Sequence, residues 1–236
     1  MKNSTGAYLK PSERGYLKSA AGEFRNVRSL VMAALLSAAA IVIEYFQVPI
    51  IPGVLEVSFS CVAISLCSFL TGPVVAIPCG IIVDTVGAII KGYSFFFGYT
   101  LSAVLGAVIY ALFLYRSRLS FSRIVFARAT VNIFVNVLLG SVWRLSMSGG
   151  EYGYYVAISL IKNLLMLPLE VFMTVLFFEA LMPSLKRMKL CSSEQRIRAE
   201  WWKIAILAAV LAAGTALLVI YSLNKSEING YIKSLF

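Results

Sequence analysis

Histidine does not occur in the 236 residues. Its absence removes imidazole as general base or metal ligand. Serine–histidine hydrolysis, H-E-x-x-H zinc chemistry and histidine-ligated haem go with it. Charge is scarce as well, at 14% of residues, where an ordinary soluble domain carries roughly 25%. The four cysteines, Cys61, Cys67, Cys79 and Cys191, contain no C-x-x-C pair and read as small apolar fillers rather than a disulfide framework. No G-x-x-x-x-G-K-[ST] loop is present, which excludes the usual phosphate loop for ATP. Asp84 is the only aspartate in an apolar run, so an intramembrane aspartyl dyad is excluded. A Ser/Lys dyad would need Lys162, but no serine is specially placed for it. No enzyme, cofactor or bound metal is expected.

What remains is greasy and basic. Hydrophobic residues make up 60% of the chain and its mean hydropathy is +0.85, the composition of an all-α integral membrane protein. The formal charge of +10 does not form a stripe with interleaved aromatics, so nucleic acid is not an expected partner. Lys and Arg sit in the gaps between apolar runs, where the positive-inside rule expects them.

Residues 1–24 are polar and basic, with Pro11 and Gly15 against a helix and no signal-peptide h-region, so a cytoplasmic tail is expected. Six apolar runs follow, at about 30–48, 57–70, 74–90, 97–115, 124–143 and 154–181. A loop is expected at 47–56 from Pro49, Pro52 and Gly53, and a tight turn at Thr71-Gly72-Pro73. Beyond a basic linker at 186–203, an Ala/Leu-rich run at 204–223 predicts a seventh transmembrane helix before a short tail, 224–236. The compact six-helix unit is expected over 25–185. Basic residues concentrate in the tail, around Arg118 and around Arg187, which predicts a cytoplasmic N-terminus. Loops 47–56, 91–96 and 144–153 then share the outer face.

Two surfaces carry function candidates. In the first run, Ala34 and Ala38 are four apart and lie on one small-residue helix face, suited either to internal helix packing or to another membrane subunit. On the outer side, Phe95, Phe96, Phe97 and Tyr99 make an aromatic loop, either an interfacial belt or a stacking surface for a flat ligand. Charge in hydrocarbon is expensive. Arg128 and Glu179, near the cytoplasmic ends, are expected to snorkel. Asp84, Asn132, Asn136, Lys162 and Asn163, with Trp143, Arg144 and Tyr152, either line an outward pocket or form a hydrogen-bond network between helices.

Three motifs then resemble the folate-specific S components of energy-coupling factor (ECF) vitamin transporters. Phe97-Gly98-Tyr99-Thr100-Leu101-Ser102 is similar to that family's Pro-Gly-Phe-Thr-Leu-Ser. Asn132 to Trp143 is similar to its fifth helix, with Val142 where Thr usually precedes the Trp. Lys162-Asn163 with Pro168 resembles its Arg-x-x-Lys-Asn…Pro pattern, with Ser159 in the arginine's place. The likeness covers about 28–185.

The resemblance implies a vitamin-binding subunit in the cell membrane that works with a transmembrane coupling subunit and two ATPases. Ala34 and Ala38 would form the docking face. For folate, Phe96, Phe97, Tyr99, Trp143 and Tyr152 are the stacking candidates. Asp84, Asn132, Asn136 and Asn163 are those for the ring edge, and Lys91, Arg144 and Lys162 those for the carboxylate tail. An S component for another small vitamin or cofactor precursor, or a non-transporting assembly subunit, is the alternative.

Overall fold

The computed structural model describes residues 14–46, 48–51, 55–57, 59–92 and 94–188. The expected seventh helix at 204–223 and most of the linker before it lie outside the described residues. Helices dominate: α1 (Arg14–Glu23), α2 (Val27–Tyr45), α3 (Ser60–Lys91), α4 (Phe97–Leu114), α5 (Phe121–Thr130), a π-helical stretch (Val131–Leu139), α6 (Gly140–Ser148) and α7 (Tyr152–Arg187). Among the described residues, five stretches are long and apolar enough to cross a membrane, with Phe121–Met147 running through α5, the π-helix and α6 as one. Large apolar side chains on the outside, such as Leu35, Ile89 and Leu164, are what a bilayer solvates. The chain is a multi-pass membrane protein.

Helix α3 takes in the second and third apolar runs together. At Gly72 the backbone leaves helical geometry with φ 76°, followed by Pro73. Ala63 packs with Val83, and Cys67 with Val75, so the two arms fold back on one another. A Cβ at Gly72 would stand 3.0 Å from the Tyr115 ring, so both the left-handed φ and the close approach demand glycine. α2 lies against this folded pair through Ala33 and Ala40, while Ala34 and Ala38 remain exposed on its other side.

Two local expectations fail. The N-terminal segment is helical from Arg14, with Gly15 inside the first turn. Tertiary contact overrides the poor local propensity: Tyr16 is fully buried, its hydroxyl donates to Ala111 O at 2.9 Å, and its ring meets Tyr115 edge-on. Burial, with Tyr115 alongside, pushes the Tyr16 phenol up to about 12. Glu23 receives Ser29 Oγ at 2.5 Å and lies 3.8 Å from Arg116, tying α1 to the start of α2 and the end of α4. The expected loop after α2 holds a small antiparallel hairpin, β1 (Val48–Ile51) with β2 (Leu55–Val57), pairing Val48 with Val57 and Pro49 with Glu56. It is the departure from an all-helical fold among the described residues.

Candidate functional site

Helix α4 begins at Phe97 with Gly98 buried in its first turn. A Cβ on Gly98 would collide with the Phe96 ring and stand 2.6 Å from Trp143. Glycine therefore lets two aromatic rings lie directly on the helix backbone. Phe96 meets Trp143 edge-on at 5.8 Å and Tyr99 at 5.5 Å. Trp143 Nε1 donates to Ser102 Oγ at 2.9 Å, which fixes the indole against α4. Two residues back, Thr100 Oγ1 donates to Asp84 Oδ2 at 2.6 Å, joining α4 to the second arm of α3.

A polar ladder runs beside this cluster on the helix that carries Trp143. Asn132 and Asn136 fall in the π-helical stretch, four apart and hence neighbours on one helix face. Asn136 Nδ2 donates to Asn132 Oδ1 at 2.9 Å and to Asn163 Oδ1 at 3.2 Å. Asn163 Nδ2 in turn donates to Ser159 O at 2.8 Å. At the upper end, Ser159 is fully buried and gives its proton to Tyr155 O at 2.6 Å. Its lone pairs accept Arg144 Nη2 at 2.8 Å. Among the described residues no carboxylate lies within ion-pair range of Arg144. The guanidinium is half-buried, and among the described residues Ser159 takes one of its five donors.

The lower end of the ladder corrects an expectation. Arg128 does not snorkel. It is 7% exposed and pairs with Glu170, also 7% exposed. Arg128 Nη1 also donates to the Tyr110 hydroxyl at 2.6 Å. Asn132 Nδ2 donates to Glu170 Oε2 at 3.0 Å, so the ion pair and the asparagines form one network. Glu179, by contrast, is exposed as expected.

The remaining candidates are placed less centrally. Lys91 pairs with Glu44 at 3.1 Å, so the pair tethers α3 to α2 and its charge is matched. Phe97 is 71% exposed and makes no ring contact among the described residues, which suits an interfacial anchor. Tyr152 lies on an apolar groove of about 320 Å³ lined by Leu105, Ile109, Phe134 and Leu138 among others, apart from the Phe96–Trp143 pair. Lys162 is half-buried on α7, next in sequence to the laddered Asn163. Ser159, Ser102, Thr100 and Glu170 join the site although sequence reasoning did not select them. Ser159 carried a signal as the place where an arginine was expected, and Thr100 and Ser102 stood in the motif that opens α4.

No family model matches the chain. Curated relatives do. The folate transporter FolT of Clostridium novyi (strain NT) is 28% identical over 151 residues, covering 62% of this chain and 85% of the relative. FolT of Leuconostoc mesenteroides subsp. mesenteroides is 31% identical over 153 residues, 62% of this chain and 82% of that one. The chain belongs to the FolT family. FolT proteins are folate-specific S components, transporter subunits and not enzymes. A FolT crystal structure with bound folic acid superposes with a TM-score of 0.57 at 26% identity, covering 63% of this chain and 90% of the FolT chain. The all-helical membrane bundle is thus shared with FolT.

Proposed function

We propose that this chain captures folate at the outer face of the cell membrane and hands it inward as the S component of an ECF-type transporter. The observation that carries the reading is Arg144. A half-buried guanidinium with no carboxylate beside it among the described residues is suited to an anionic ligand, and it sits next in sequence to a tryptophan packed on an aromatic partner. Folate supplies both complements: a flat pterin and a tail of two carboxylates. Phe96, Tyr99 and Trp143 offer the ring faces. Asp84 with Thr100, and the amides of Asn136 and Asn163, offer the ring-edge hydrogen bonds, with Asn132 buried behind them. Arg144 and Lys162 offer charge to the tail, while Lys91 is matched by Glu44. Family membership and the neighbour crystallised with folic acid support the same ligand.

On this reading the N-terminus is cytoplasmic and the exposed Ala34–Ala38 face of α2 receives a transmembrane coupling subunit, with two ATPases driving the cycle. Small side chains allow the close helix approach that such docking needs. The test is purification of the full chain in detergent without added ligand, followed by an absorbance spectrum and mass spectrometry, then calorimetric titration with folic acid. A co-purifying pterin band or saturable binding is expected. An empty protein that ignores folic acid overturns the proposal.

A further inference from the structure

The three asparagines form a relay whose direction is imposed from one end. Glu170, paired with Arg128, presents a carboxylate, and a carboxylate only accepts hydrogen bonds. Asn132 is 2% exposed and bonds that carboxylate at 3.0 Å, so its NH2 must face Glu170 and its Oδ1 must face away. The reversed amide would set two acceptors against each other in a low-dielectric interior. Asn132 Oδ1 then requires a donor, and Asn136 Nδ2 supplies it at 2.9 Å. The other Nδ2 hydrogen of Asn136 goes to Asn163 Oδ1 at 3.2 Å. Both donors of Asn136 are therefore engaged inside the protein. What its half-buried side chain has left is Oδ1, which meets no protein donor among the described residues. The oxygen and nitrogen of an amide are otherwise hard to tell apart. Here the chemistry of the terminal carboxylate decides between them.

We infer that the Arg128–Glu170 pair, acting through Asn132, fixes the amide of Asn136 so that the site offers its ligand a hydrogen-bond acceptor and selects an N–H donor on the pterin end. The inference deepens the folate reading and rests on it. Arg128, Glu170 and Asn132 are positioning residues: they touch one another and Asn136, not the ligand. The pterin and its methylene-amino linker in folic acid present three candidate donors, the 2-amino group, N3–H and N10–H.

The experiment measures Kd, from quenching of tryptophan fluorescence, for folic acid and for 2-desamino-2-methyl-, 3-methyl- and 10-methyl-folic acid. Each analogue lacks one donor. The full chain is compared with Asn136→Ala, Asn132→Leu and the neutral double variant Arg128→Gln/Glu170→Gln. In the unmodified chain at least one analogue binds about tenfold more weakly than folic acid, the scale of one buried hydrogen bond. That ratio falls to the Asn136→Ala value both in Asn132→Leu and in the double variant. Asn132→Leu keeps the ion pair intact, and its elution profile and Tm establish that it folds, so loss of the double variant would not block the test. A folded Asn132→Leu that keeps the original ratio overturns the inference. Equal affinity of the unmodified chain for all four compounds overturns it too and leaves the folate reading standing. No binding of folic acid at all overturns both.

Discussion

Arg144 and Ser159 exchange roles that a single residue fills in the motif they resemble. The motif sets an arginine on the last helix, and here a serine stands at that position while a guanidinium from α6 reaches over to it. The prediction is specific. Arg144→Ser weakens folic acid binding by roughly ten- to a hundredfold, the range of one charge-assisted hydrogen bond. Ser159→Arg added to that variant returns most of the affinity, as titration calorimetry would read. If the double variant binds no better than Arg144→Ser, the cation's position is not what matters. Position 144 was visible in the chain as an outer-loop cation, but its destination was not. An arginine side chain spans a full helix-to-helix gap, and nothing in sequence spacing says which neighbour it reaches. The same limit hid Glu170, whose partner Arg128 lies 42 positions away.

At the level of elements, hydrophobic periodicity and turn chemistry carried most of the information. The six apolar runs, the break at Gly72-Pro73 and the small-residue face of α2 were all legible, because bilayer length and glycine conformation leave few alternatives. The docked α1 was not, since its helix depends on Tyr16 entering a socket beneath α4 rather than on local propensity. The π-helical stretch was equally silent. Its i→i+5 hydrogen bonding leaves no mark on the residue pattern that separates it from an α-helix. The exposed face of α2 yields the element-scale prediction. Ala34→Trp with Ala38→Trp abolishes co-purification with the coupling subunit and stops uptake, while folic acid affinity in detergent stays within about twofold, since neither residue packs inside the bundle. Retained uptake by that variant would place the docking face elsewhere.

For the molecule as a whole, the pairing of Phe96 with Trp143 over Gly98 has a kinetic meaning. The two rings meet edge to face at 5.8 Å, so a planar guest that is to lie between them enters only after they swing apart. Opening is then a first-order event that precedes encounter. In stopped-flow mixing, the observed rate should climb with folic acid and then level off at the frequency with which the indole leaves Ser102. Ser102→Ala, which removes the hydroxyl holding Trp143, should raise that plateau, whereas a rate that rises without limit would mean the doorway already stands ajar. The uptake system would then have its tempo at the entrance, governed by a single latch rather than by how often vitamin and carrier collide.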